Sequence, residues 1–258
     1  MGEATAAAAL ELAREVLLFV FGACIGSFLN VCITRLPRGE SILFPASHCR
    51  SCNTRLPLRA MVPLASYLLL RARCIHCSAP ISPRYFLVEL CSGALTLACY
   101  RRFGPGPPFI ARLSFAGALL TAAVIDFETG IIPDVISVYG TAWAFVLSWC
   151  APAFSIQPWP SPLNSLLGAL FGAGVLLATA RGYRAVTGRE GLGGGDVKLL
   201  AMIGSFVGWE GVPGILFLSA LSGTLCGIAL MVLRRDVSLT TPLPFAPFLC
   251  LGALLHTS

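Results

Sequence analysis

The sequence predicts an all-α polytopic membrane protein with about eight transmembrane helices and a small cytoplasmic zinc-ribbon-like domain between helices 1 and 2. Three observations carry that prediction. Apolar residues fill 56% of the 258 positions and charged residues only 12%, against about 25% charged in an ordinary soluble domain. The apolar residues gather in runs approaching the length of a bilayer span, and mean hydropathy is +0.81. One polar, arginine-rich stretch carrying two Cys-x-x-Cys pairs interrupts these runs. A water-soluble fold of this size has too little interior to hide so much apolar surface, so lipid is the solvent for most of it. Disorder, fibrous repeats and a soluble α/β enzyme are disfavoured on the same grounds.

The first run, Val16 to Thr34, is uncharged and long enough to span. Glu3, Glu11 and Glu15 ahead of it, together with its length, argue against a cleaved signal peptide. Between Arg35 and Arg84 the chain carries eight arginines, one acid and both Cys-x-x-Cys pairs, which marks a small extramembrane domain. Further apolar stretches follow at Tyr85 to Tyr100, Phe109 to Ile125, Val135 to Pro152, Leu163 to Ala180, Val197 to Trp209, Gly211 to Leu233 and Leu243 to Leu255. Several are shorter than the roughly 20 residues of a full span. The expected division is a first helix over 1–34, a Cys₄ domain over 35–84 and a membrane domain over 85–258.

Charge sets the expected orientation. The arginine-rich domain belongs on the cytoplasmic side, which places the N-terminus outside in the periplasm. Alternation then puts the Arg181 to Asp196 loop and Arg234-Arg235 inside, and the uncharged Ala151 to Pro162 loop outside, with only Arg101-Arg102 dissenting. The net charge of +6 is thus a topology signal. Nucleic-acid binding is not expected, because no basic helix or interleaved aromatic stripe lies on a soluble surface.

Of eleven cysteines, Cys24, Cys32, Cys91, Cys99, Cys150, Cys226 and Cys250 stand singly in apolar runs and read as small buried hydrophobes. The other four form two pairs. Cys49-x-x-Cys52 and Cys74-x-x-Cys77 are 21 residues apart, close to Cys₄ zinc-ribbon spacing, and each pair offers two thiolates to a tetrahedral ion. A loop of this size with little core gains its fold from such a metal, so structural Zn²⁺ is expected ahead of two disulfides, which the cytoplasm disfavours, or a redox Cys-x-x-Cys, which no thioredoxin-like βαβ pattern frames. His48 and His76 adjoin the pairs and are expected to donate hydrogen bonds around the thiolates rather than to bind metal.

Only four aspartates occur: Asp126, Asp134, Asp196 and Asp236. Asp126 ends a long apolar run, and Asp196 stands between the glycines Gly193-Gly194-Gly195 and the run that begins at Val197. The expected topology puts both at or just below the cytoplasmic membrane surface. An ionisable residue at membrane depth is costly and marks function by default. Each has a plain alternative: Asp196 as a helix cap, Asp126 as an ion-pair partner. Together they suggest a dyad. Two carboxylates ~4 Å apart at an effective dielectric of ~20 repel by about 4 kcal/mol, which suits aspartic proteolysis with a proton shared between them. Gly193, Gly194 and Gly195, without Cβ atoms, would let an extended substrate backbone approach Asp196. Asp134 reads as the N-cap of the helix that follows it, and Asp236 as a surface ion pair beside Arg234 and Arg235.

Taken in order, these segments carry a likeness. The chain resembles the prepilin leader peptidases of type IV pilus and type II secretion systems, membrane aspartic proteases of the GxGD class. The likeness runs through Gly26-Ser27-Phe28-Leu29-Asn30-Val31, Arg35-Leu36-Pro37, both cysteine pairs, Ile81-Ser82-Pro83-Arg84-Tyr85 and Val88-Glu89. It continues through Ile125-Asp126, Ile132-Pro133-Asp134, Gly193-Gly194-Gly195-Asp196-Val197-Lys198-Leu199-Leu200 and Pro244-Phe245-Ala246-Pro247-Phe248. The resemblance implies that Asp126 and Asp196 are catalytic. It also implies an inner-membrane enzyme whose substrate is the short basic leader of a prepilin or pseudopilin, cut on the cytoplasmic side. Many members of the family also methylate the new N-terminus using S-adenosylmethionine. Here Ala60-Met61 stand where the family usually has an acidic residue and Asn, so the resemblance supports methylation less securely than cleavage. Glu89 matches the family and otherwise reads as a favourable charge at a helix N-terminus. The rival readings are a transporter or proton relay using buried aspartates, and a non-catalytic assembly factor that docks through its zinc module.

Overall fold

The computed structural model describes residues 2–152, 159–188, 191–233 and 244–257. Arg189, Arg234, Arg235, Asp236 and much of the expected outer loop at 151–162 lie outside the described residues. The architecture is helical: α1 Gly2–Arg35, α2 Ala65–Leu69, α3 Pro83–Phe103, α4 Pro107–Thr129, α5 Asp134–Cys150, α6 Pro162–Thr187, α7 Gly194–Val207, α8 Val212–Leu233 and α9 Ala246–Thr257, with short 3₁₀ turns at Leu36–Arg38 and Leu58–Ala60. Each of the eight apolar runs forms a helix, and α2 is an addition inside the polar stretch.

The boundaries follow local chemistry. Ser82 and Ser161 accept hydrogen bonds from Arg84 N–H and Asn164 N–H, each followed by a proline whose missing N–H costs nothing at a first helical position. Gly188 closes α6 in the left-handed conformation, φ +70°. Four segments are long and apolar enough to cross a membrane: Ala6–Arg38, Pro107–Thr129, Pro162–Thr187 and Val212–Leu233. α3 has 21 residues but carries Arg84, Glu89, Arg101 and Arg102. α1 has 34 residues, about 50 Å at 1.5 Å per residue, well beyond a ~30 Å hydrocarbon core. Its acids Glu11 and Glu15 therefore sit within the helix, on turns beyond the apolar run.

The chain divides into two compact units, Met1–Gly117 and Ala118–Ser258. In the first, α1 packs on α3 through small residues. A Cβ on Gly26 would lie 2.7 Å from Glu89 Cα, and Gly22 abuts Thr96. Ser92 Oγ donates to Gly22 O at 2.7 Å in this buried seam. At the far end Arg101, one of the two arginines that dissent from the charge rule, pairs with Glu15 at 2.8 Å. Arg112, inside an expected apolar span, is buried, with its guanidinium 5.4 Å from the centre of the Phe103 ring. The run of apolar neighbours around it hid this residue from the hydropathy reading.

In the second unit α7 is the central helix, with Leu199, Leu200, Met202, Ile203 and Phe206 all at 0–1% exposure. Gly168 of α6 and Gly204 of α7 bring the two backbones into contact, and a Cβ on Gly172 would lie 2.6 Å from Leu200 O. The Ser165 and Ser205 hydroxyls meet across the same seam at 2.8 Å. Lipid gives helices no hydrophobic drive to associate, so close packing of small residues and buried hydroxyl bonds must supply it.

Candidate active site and candidate metal centre

Asp126 lies in the last turn of α4, which stops at Gly130 with φ +65°. It is only 7% exposed. Its Oδ2 accepts a hydrogen bond from Ala246 N–H at 3.2 Å. Ala246 opens α9, so the carboxylate satisfies one of the free N–H groups at that helix's positive end. Pro247 at the second position of α9 helps fix that start. The role of Ala246 N–H escaped sequence reasoning, although the Pro-Phe-Ala-Pro string announced a helix start.

Asp196 is the third residue of α7. Its N–H donates to Gly193 O at 3.2 Å, and Gly193 holds the N-cap position of the helix. The plain reading of Asp196 as the cap is not met: Gly193 is the cap, and Asp196 is an acid of the first turn. Two further facts bear on its role. Asp196 lies within electrostatic reach of Asp126, and its Oδ1 is buried with no hydrogen-bond partner among the described residues. The thiol of Cys250, on α9, is fully buried and within electrostatic reach of both aspartates. Three helix ends thus converge: the end of α4 and the starts of α7 and α9.

The glycine run has a partly different rationale from the expected one. None of Gly193, Gly194 and Gly195 takes a left-handed φ. A Cβ on Gly195 would sit 3.1 Å from Ile132 Cβ, so this glycine admits a neighbour of its own chain. Gly194 faces open space.

Asp134 is not an N-cap. It is the first residue of α5, its side chain makes no cap hydrogen bond, and Pro133 holds the cap position. Instead it accepts an ion pair from Lys198 Nζ at 2.6 Å, tying α5 to α7 two residues beyond Asp196. A groove of about 430 Å³ between α5, α6 and α7 is lined by Ser137, Thr141, Lys198, Ala201 and Ser205. Lys198 lies about 200° around the helix from Asp196, so this groove opens on the face of α7 turned away from the carboxylates.

In the first unit, Cys49, Cys52, Cys74 and Cys77 come together with their sulfurs all within 4.8 Å of one another. The two knuckles share one construction. Cys49 N–H donates to Thr54 O and Asn53 N–H to Cys49 O; Cys74 N–H donates to Ala79 O and Ser78 N–H to Cys74 O. The residue after each second cysteine, Asn53 or Ser78, is left-handed at φ 58° and 57°. Single antiparallel bridges, His48 to Arg55 and Arg73 to Pro80, close each turn. Backbone N–H groups of Cys52 and Ser51 hold the Cys49 thiol below its ordinary pKa. The Thr54 side chain and N–H do so for Cys52, and the N–H groups of Cys77 and His76 do so for Cys74. Cys77 accepts from Ala79 N–H, yet burial and the three neighbouring sulfurs push it up to about 11. Four thiolates confined without a cation repel one another.

This donor set fits zinc. Tetrahedral Zn–S bonds of ~2.3 Å put sulfurs about 3.8 Å apart, and Cys49 Sγ to Cys77 Sγ is 3.8 Å. The histidine expectation needs correction. His48 turns its Nδ1 to Ala46 O at 3.1 Å, and His76 reaches Cys74 Sγ with its backbone N–H at 3.4 Å, not its ring. Glu89 is corrected too. It is the seventh residue of α3, not part of its first turn, and it is 8% exposed. Its Oε2 accepts Leu64 N–H at 2.8 Å, where Leu64 is left-handed at φ 60°. The charge thus ties the start of α2, inside the polar stretch, to α3.

Comparison with known proteins finds family matches in two successive parts of the chain. Residues 20–103 match the family described as Bacterial Peptidase A24 N-terminal domain, and residues 113–228 match the Type IV leader peptidase family. A Myxococcus xanthus (strain DK1622) protein named prepilin leader peptidase/N-methyltransferase is 40% identical over 222 residues, covering 84% of this chain and 63% of that relative. Proteins of the same name from Aeromonas hydrophila and Burkholderia pseudomallei (strain 1026b) are 34% and 32% identical. They cover 94% and 97% of this chain, and the chain covers 92% and 87% of theirs. No solved structure matches. Nothing in these matches supports a transporter. With two family descriptions matched in order and relatives aligned over nearly the whole length, the chain belongs to the type IV leader peptidase family.

Proposed function

We propose that this chain is a membrane aspartic endopeptidase that removes the leader from type IV prepilins or type II secretion pseudopilins, with Asp126 and Asp196 as its catalytic pair. The observation that carries the assignment is the convergence of two carboxylates at helix ends. One is anchored on Ala246 N–H, and the other keeps a buried oxygen free within electrostatic reach of the first. In such a pair the ionised carboxylate takes a proton from water as the water attacks the scissile carbonyl, and the protonated one donates to the carbonyl oxygen. Collapse of the tetrahedral intermediate returns that proton and passes the first to the departing amine. The proton belongs to the pair, so base and acid are not assigned to one residue each. Gly194, facing open space beside Asp196, leaves room for a substrate backbone.

Residues 35–84 form the zinc-binding domain in this proposal, with Cys49, Cys52, Cys74 and Cys77 as ligands. Zinc would supply a cross-link between two knuckles and no reaction step. The protein lies in the inner membrane with this domain cytoplasmic, the N-terminus periplasmic and all eight long helices in the bilayer. Methylation of the new N-terminus by S-adenosylmethionine is a second step that the names of the relatives suggest. Ala60 and Met61 contribute only apolar side chains where the family pattern has an acid and an amide, so these two positions do not supply polar contacts for that cofactor. No part of the cleavage chemistry passes through it. The test is Asp126→Asn and Asp196→Asn, singly, in membranes co-expressing a prepilin, followed by gel shift. Each is expected to abolish cleavage, and full processing by either one refutes the pair. Mass spectrometry of the wild-type product reports the cut and any added methyl together.

A further inference from the structure

The short loop after α1 presents its apolar residues outward. Ile42, Leu43 and Phe44 are 36%, 72% and 78% exposed. They are not a loose tip. Arg35, the last residue of α1 and only 7% exposed, donates from Nη1 to Ser41 O at 2.8 Å and from Nη2 to Pro45 O at 2.6 Å. Both ends of the loop are therefore pinned to the end of a membrane-crossing segment. Inside the loop Ser41 Oγ accepts the N–H groups of Leu43 and Phe44, each at 3.3 Å, folding it into a tight turn with those two side chains at its apex. A buried guanidinium with two carbonyls is a strong clasp, yet what it holds in place is two large side chains left mostly uncovered by the described residues.

We propose that the Ser41–Pro45 turn is a membrane-interface anchor, its Leu43 and Phe44 seated at the headgroup–acyl boundary of the leaflet at the Arg35 end of α1, in a bilayer containing anionic phospholipid. Continuity argues for the bilayer: the turn is fixed to the end of the helix whose apolar run, Val16 to Thr34, presents large apolar side chains outward over much of its surface. Leu17, Val20, Phe21 and Phe28 stand 49–69% exposed. Charge argues for anionic headgroups. Residues 35–84 carry eight arginines against the single acid Glu40, and basic segments beside a membrane surface draw anionic lipid. An apolar tip with flanking arginines is the composition that binds such an interface. The anchor sets the height of the cysteine knuckles over the membrane, a role separate from the carboxylate chemistry.

The photoreactive p-benzoyl-phenylalanine, placed at Phe44 and separately at Leu43 in the full-length chain, tests this. Both sites are exposed, so neither change removes a core contact. The protein is reconstituted in vesicles of equal phosphatidylcholine and phosphatidylglycerol, irradiated and analysed by mass spectrometry. The expected result is lipid adducts at either position at least threefold above those at Ser51, an exposed polar site in the first knuckle, with phosphatidylglycerol favoured over phosphatidylcholine. Yields equal to Ser51, or adducts chiefly to a co-reconstituted prepilin or to a second copy of the chain, overturn the anchor. Equal labelling of the two lipids overturns the anionic preference. Cleavage assayed on unirradiated vesicles is a separate readout, and loss of the carboxylate mechanism leaves these adducts unchanged.

Discussion

Asp126 serves two ends with its two oxygens. One holds the start of α9 through Ala246 N–H, and in the proposed mechanism the other serves the reaction. Substitution can separate these duties. Asparagine keeps an acceptor for Ala246 N–H and forfeits only the charge–dipole part, about 0.3–1 kcal/mol. Alanine leaves that buried N–H unpaired, at about 1–3 kcal/mol. Both variants lack the carboxylate and are expected to lose cleavage by at least about 10³-fold, as removal of a residue acting in a catalytic unit does. Thermal unfolding in detergent should therefore rank wild type and Asp126→Asn close together and Asp126→Ala below them, while prepilin processing shows both variants inactive. An Asp126→Ala variant as stable as Asp126→Asn would deny the anchoring role. A residual turnover in Asp126→Asn would deny the catalytic one.

The knuckles show how far sequence pattern reaches into an element and where it stops. Two Cys-x-x-Cys strings at zinc spacing foretold that four sulfurs would gather within 4.8 Å of one another, because a tight turn at that separation turns both thiols to one side. The left-handed Asn53 and Ser78 that complete each turn are visible only in the backbone, since neither position is glycine. Likewise the helices were legible from their apolar runs, but not which faces meet: Gly168-x-x-x-Gly172 and Gly22-x-x-x-Gly26 are small-residue seams that a hydropathy reading passes over. Asp134 misled for a physical reason. A carboxylate after proline fits a cap, and only the tertiary approach of Lys198 from 64 residues away shows where its charge is spent. For the metal centre the expected outcome is one zinc per chain by elemental analysis. Cys49→Ser or Cys74→Ser should lose it, as should prolonged exposure to a chelator at neutral pH. The 35–84 segment should then become sensitive to protease, because three thiolates and little core cannot hold it. Retention of a protease-resistant 35–84 segment after zinc removal would show that the fold there does not depend on metal.

Across the whole molecule the arginines and the helix ends tell one story about sidedness. Eight arginines lie between positions 35 and 84, Arg181 and Arg184 close α6, and Asp126 and Asp196 stand at the ends of α4 and α7 that alternation assigns to the same side as that segment. The charges that oppose this assignment are Arg14, Arg101, Arg102 and Arg112. Arg14 pairs with Glu11 at 3.5 Å and Arg101 with Glu15 at 2.8 Å, while Arg112 is buried against Phe103. Pairing does not erase their vote in a rule that counts arginines rather than net charge, so the outer end still carries basic residues, but far fewer than the other. On that bias the proposed orientation has a direct test. Alkaline phosphatase, active only outside the cytoplasm, is expected to be active when fused after Pro152 and inactive when fused after Arg59 or after Gly188. Activity after Arg59 would invert the molecule and put the carboxylates on the face opposite the compartment where leaders are presented. The sidedness and the proposed reaction would then fall together, because a cut made at the cytoplasmic ends of α4 and α7 requires those ends to be there.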